Sequence, residues 1–142
     1  MKYSEVKDFS YQDCFNLGCL LVERHDVRKE PIAIRIYMDD LVVFQYIMDG
    51  RDAGNIPWLE RKANTVRKTG MSSLDAFYAI NEGKFLELKD DPTVALYGGG
   101  YPIYQEGKII CIVCVSGMTH EEDGQLVEEV VNEYIKKIRG KR

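Results

Sequence analysis

Histidine is in short supply. Only two occur in 142 residues, His25 and His120, and this excludes a metal centre built on a histidine cluster. A serine hydrolase would have to recruit one of those two, and no G-x-S-x-G elbow presents a nucleophile. The four cysteines offer no framework either. Cys111 and Cys114 form a C-x-x-C, but within a strand residues three apart point to opposite faces, and no second pair completes a zinc site. Cys14 and Cys19 lie about 140° apart on a helix, so no disulfide is expected. No apolar run reaches the roughly 20 residues of a membrane-spanning helix. Residues 1–15 mix charged and polar groups where a secretory leader would be apolar, and the expectation is a soluble, cytoplasmic protein without a membrane partner. There is no basic excess: the net charge of -4 argues against a nucleic-acid partner. Internal repeats and low-complexity stretches are also missing.

What remains is globular: 45% hydrophobic, 11% aromatic and 30% charged residues, expected to form one domain over residues 1–142. Cys14, Leu17, Gly18, Leu21 and His25 recur at helical spacing, predicting a first helix from Tyr11 to about Lys29, ended by Pro31. Ile32 to Met38 alternates, and after Asp39 and Asp40 the run Leu41 to Met48 reads as its hairpin partner. Asn55 and Pro57 offer a cap and a first-turn proline for a helix to Thr69, with Leu59, Ala63 and Val66 buried. Gly70 breaks it, and Ser72 with Asp75 starts a short third helix. Ile103 to Gln105 and Ile109 to Val115 are strands joined at Glu106 and Gly107. The second of these is apolar on both faces, so it should be central.

The final helix has Thr119 and Glu122 as a capping pair and an apolar stripe through Leu126, Val127, Val130, Val131, Tyr134, Ile135 and Ile138. Burying that stripe supplies on the order of 10 kcal/mol. Its basic end, Lys136, Lys137, Arg139, Lys141 and Arg142, complements the helix dipole. His120 falls in an exposed first turn. The element order predicts an α+β sheet with helices largely on one face. The other face would then be buried against a second copy, predicting a homo-oligomer.

The most distinctive segment is Tyr97-Gly98-Gly99-Gly100-Tyr101-Pro102. Its spacing fits neither a dinucleotide loop nor a P-loop, and a tight turn or an anion-binding nest would each explain it. Together with Trp58-x-x-Arg61-Lys62-x-Asn64, the serines Ser72 and Ser73, Val115-Ser116-Gly117 and Glu122-Asp123, it resembles the GlcG/HbpS-like, or haem-degrading-domain, family, and above all its small stand-alone branch. The resemblance runs from the first helix to the end of the last. It implies a profilin-like sheet of about five antiparallel strands flanked by helices, in the order α-β-β-α-α-β-β-β-α. It also implies multimeric assembly and, in some relatives, haem binding or degradation or a corrinoid-related role.

The stand-alone branch commonly carries histidine where this sequence has Tyr97 and Gly124. Tyrosine can ligate haem iron, which makes Tyr97 the candidate ligand. The expected ligand-binding residues are Trp58, Arg61, Lys62, Asn64, Ser73, Tyr97, Gly98, Gly99, Gly100, Tyr101, Ser116 and Asp123, with Arg61 and Lys62 available to carboxylates such as haem propionates. Those two cations could equally pair with Glu122 and Asp123 across a subunit contact. Three functional readings follow, in order: a small-molecule binder for haem or a related tetrapyrrole, a non-catalytic oligomeric scaffold, and a haem-degrading enzyme. No spacing identifies a catalytic acid or base, or a cofactor.

Overall fold

A computed structural model describes residues 2–140; Lys141 and Arg142 of the basic tail lie outside the described residues. Ser10 caps α1 (Tyr11–Arg24) through a reciprocal pair with Asp13. The helix stops five residues short of the expected Lys29. There the Asp26 carboxylate accepts the Arg28 backbone N–H at 2.9 Å, a local alternative to another helical turn. Strands β1 (Ala33–Met38) and β2 (Leu41–Ile47) follow, then α2 (Ile56–Thr69), α3 (Ser73–Asn81), β3 (Gly100–Gln105), β4 (Lys108–Ser116) and α4 (His120–Arg139). As expected, Glu106 and Gly107 turn the second hairpin; both have positive φ, 52° and 77°, which suits a two-residue turn.

The sheet is antiparallel, ordered β2-β1-β4-β3, so β4 is an interior strand. Its alternation feeds two cores. Cys111, Val113 and Val115 join α1 and α4 residues such as Leu17, Leu21, Val127 and Val131. Ile112 and Cys114 join Leu59, Ala63 and Val66 of α2 on the opposite face. The two cysteines of the C-x-x-C thus diverge, while the Cys111 Sγ lies 4.0 Å from that of Cys14. Helices therefore cover both faces rather than one. The face that was expected to need a second copy is filled by α2, leaving Leu41, Val42 and Tyr46 of the β2 edge exposed.

The sheet has four strands instead of about five. Residues 92–99 form no additional strand, and side chains take three of their backbone N–H groups. The Thr93 N–H goes to Asp91, the Ala95 N–H to Thr65 and the Gly98 N–H to His120. Along the free side of β3 the N-terminal segment makes one isolated bridge, Glu5 to Tyr104, with Val6 N–H donating to the Tyr104 carbonyl at 2.8 Å. No helix among the described residues is long and apolar enough to cross a membrane.

Val131 is fully buried between α4 and the sheet, so Val131→Asp places an unpaired carboxylate in the core. The expected outcome is a loss of about 4 kcal/mol or more, enough to remove the cooperative thermal transition followed by circular dichroism.

Candidate ligand-binding cleft

The site begins with the approach to α2. Asp52 caps a short 3-10 turn, Ala53–Asn55, by accepting the Gly54 N–H at 2.8 Å. Asn55 therefore does not cap α2 with its side chain; its amide points toward Ser116 Oγ at 3.4 Å. One turn into the helix, Trp58 stands half-exposed on the surface side. Lys62 falls on the sheet side with Leu59, Ala63 and Val66, and only 3% of it is exposed.

Lys62 Nζ donates to the Val115 carbonyl at 2.9 Å and meets the Asp123 carboxylate at 3.2 Å. Asp123, in the first turn of α4, also accepts the backbone N–H groups of Gly117 and Met118 at 3.3 and 3.1 Å. Burial pushes the Asp123 carboxyl up from its ordinary range, and the Lys62 charge and the two N–H donors partly offset that shift. The pair is intramolecular: Lys62 takes Asp123 of its own chain, and Glu122 takes Lys29 at 2.6 Å.

The glycine run lies on this pair, and close approach explains its composition. A Cβ at Gly99 would stand 2.3 Å from the Val115 carbonyl oxygen, and one at Gly100 would stand 2.8 Å from that of Lys62. Gly99 also has a φ of 137°, which L side chains rarely adopt. Behind the loop, buried Ser73 accepts the Gly100 N–H at 2.8 Å. Two of the three glycine N–H groups are thus directed to protein acceptors: Gly98 to His120 Nδ1 and Gly100 to Ser73. They form a packed crossing rather than an anion nest.

Above the pair the aromatic rings converge. Tyr97 lies 6.3 Å from Trp58, 6.4 Å from Phe77 and 5.3 Å from His120, and Phe77 stacks obliquely on His120 at 4.6 Å. A cleft of about 270 Å³ opens here, with Lys62, Ser116 and Asp123 as its floor and Trp58, Tyr97 and His120 as its walls. Across the Trp58 and Tyr97 rings a second groove of about 330 Å³ includes Arg61, whose guanidinium lies 5.6 Å from the Trp58 ring centre.

The expected residues divide accordingly. Trp58, Lys62, Tyr97, Ser116 and Asp123 share the cleft, while Arg61 is turned to the neighbouring groove. Asn64 ties Thr93 to α2 at 2.9 Å, and Tyr101 faces the core against Tyr3, where burial raises its phenol to about 12. Sequence reasoning missed Asn55, Phe77 and His120. His120, read as exposed, has only 23% of its side chain accessible. Its place just beyond the Ser116-Gly117 turn was the available signal.

His120 Nδ1 accepts the Gly98 N–H at 3.1 Å, so in the neutral ring Nε2 carries the proton and lies 3.1 Å from Glu121. In that tautomer the ring has no free lone pair for a metal and serves as a wall. Tyr97 differs: it is 49% exposed, and no hydrogen bond to its hydroxyl is present among the described residues.

An α+β domain with its aromatic cleft at the junction of a glycine loop, α2 and α4 defines the class, and residues 9–132 match the family described as haem degrading protein HbpS-like. The chain belongs to this HbpS-like family. Among its relatives is a UPF0303 protein of Brucella ovis, 36% identical over 128 residues, covering 87% of this chain and 76% of the relative. Another is UPF0303 protein YE1367 of Yersinia enterocolitica, 30% identical over 139 residues, covering 92% and 81%. Among solved structures, the Ybr137w protein superposes with a TM-score of 0.79 at 23% identity, covering 92% of this chain and 82% of that one. A PduOC:haem complex superposes with a TM-score of 0.72 at 21% identity, covering 87% and 93%. At these identities the structural likenesses establish the fold.

Removing one partner of a buried ion pair costs about 3–5 kcal/mol, so Lys62→Met and Asp123→Asn should each destabilise by that order in urea unfolding. The double variant Lys62→Met/Asp123→Leu should lose less than the sum of its singles. In Lys62→Met the penalty should be smaller at about pH 4 than at about pH 7. A carboxyl whose folded-state pKa lies above its unfolded value stabilises fully below the unfolded value and loses that contribution as pH climbs through the folded one.

Proposed function

We propose that this chain binds haem or a related tetrapyrrole in the cleft beneath Trp58 and Tyr97, with the Tyr97 phenolate as iron ligand. The observation that carries the reading is the Tyr97 hydroxyl. It is free of protein hydrogen bonds among the described residues and stands among the Trp58, Phe77 and His120 rings, which offer flat apolar contact to a macrocycle. The residues present therefore fit a tyrosine-ligated haem better than a histidine-ligated one, since His120 Nδ1 is engaged with Gly98. Arg61, held at the Trp58 edge, supplies positive charge for a propionate. Bound haem would supply redox and ligand-exchange chemistry at iron; the chain supplies the phenolate, the walls and the charge. The HbpS-like family membership and the haem complex of PduOC support the choice of ligand.

The cleft is expected to operate in a homo-oligomer. Strand β2, LVVFQYI, lies at the sheet edge without a charge or proline, and Leu41, Val42 and Tyr46 are exposed on it. Natural sheets blunt free edges with charge or proline, so a bare one is best accounted for by a covering copy.

Haemin titration should give a saturable Soret band at one haem per chain. Tyr97→Phe should weaken binding about tenfold or more, about 1.4 kcal/mol, while His120→Phe should leave the iron spectrum unchanged. Absence of saturation in the unaltered chain would sink the haem reading and leave a scaffold. Sedimentation velocity at micromolar concentration should show a species larger than the monomer, shifted toward monomer by Val42→Lys/Tyr46→Lys; a monomer in the unaltered chain overturns the assembly.

A further inference from the structure

The groove on the far side of the Trp58–Tyr97 wall has no role in holding iron, yet its lining is built like a ligand site. Its floor is apolar and buried: Ile80 from α3 and Leu88, Val94 and Ala95 from the segment that returns across α2. That segment is fixed rather than loose. Thr65, fully buried on α2, donates to the Ala95 carbonyl at 2.7 Å and accepts the Ala95 N–H at 3.1 Å, and Asn64 holds Thr93. Such a floor needs little ordering when a ligand arrives.

The charge on the lining is unbalanced. Asp91 is its one carboxylate, and Asp91 is already neutralised by Lys68 at 2.5 Å; together with the Thr93 bonds this holds its carboxyl at about 2. That leaves Arg61 and Lys89, neither of which has a carboxylate within ion-pair distance among the described residues. On α2 every other cation has a partner: Lys62 has Asp123, Arg67 has Asn64 and Asp40, and Lys68 has Asp91. Arg61 lies against the Trp58 ring instead of a carboxylate, which leaves its outward N–H groups for an anion.

We propose that this groove is a second binding site, selective for an amphipathic monocarboxylate whose apolar body lies on Ile80, Leu88 and Val94 and whose carboxylate is held between Arg61 and Lys89. The cavity of about 330 Å³ has room for a medium alkyl chain laid along its apolar floor. The proposal does not rest on the haem reading, although the two sites share a wall and Arg61, so a haem propionate and this carboxylate would compete for its guanidinium.

Trp58, the chain's one tryptophan, belongs to that wall and reports on it directly. The test titrates the full chain with sodium decanoate below its micellar concentration, following Trp58 emission, with decan-1-ol as the uncharged probe. The expected result is a saturable change with decanoate, about tenfold weaker or absent with decan-1-ol, and weakened about tenfold by Lys89→Gln. Lys89 is exposed, so that variant should fold normally, and its haemin titration should match the unaltered chain. No saturable change with decanoate, equal response to decan-1-ol, or an unaltered decanoate affinity in Lys89→Gln overturns the proposal. Loss of the haem reading with decanoate binding intact leaves this site standing.

Discussion

The Lys62–Asp123 ion pair joins three parts of the chain that are remote in sequence. It fastens α2 to the end of β4 through the Val115 carbonyl and to the start of α4 through the carboxylate, which in turn seats the Ser116–Met118 turn. Withdrawing both charges from water is costly, and a pair of apolar side chains would serve stability as well or better. What the pair provides is a fixed geometry for the strand and helix that frame the cleft. The glycine loop then has one way to cross, with its backbone against Lys62 and Val115.

The periodic elements were legible from the residues because each has an unambiguous apolar stripe. α2, α3 and α4, both hairpins and the interior place of β4 all follow from spacing and caps. What escaped was whatever long-range contacts decide. The expected extra strand is absent; in residues 92–99 Asp91, Thr65 and His120 take the N–H groups of Thr93, Ala95 and Gly98, and no local pattern announces such partners. The first helix ends early because Asp26 folds back on Arg28. Helices on both faces could not be read from order alone, since the side of the sheet that α2 covers is settled by its crossing to β3 and β4.

At the candidate cleft, the residues chosen by motif are of two kinds. Lys62, Asn64, Ser73 and the glycines are held by protein partners and build the frame, whereas Trp58, Arg61 and Tyr97 face open volume. A Cβ on Gly124 would lie 2.8 Å from the Leu74 side chain, so a larger residue there requires Leu74 to move, whereas Tyr97 presents a polar, exposed group to the cleft.

The bond between the Arg139 guanidinium and the Glu5 carbonyl joins residues 134 apart and brings the two end segments of the described chain to one corner. In polymer terms the fold is a ring left unsealed. A short flexible linker between those segments would add little closure entropy, and the ring could be reopened at the exposed Asp39–Asp40 turn without cutting any helix. Such a chain would begin with β2 and end with β1, with α4 and α1 joined in its interior.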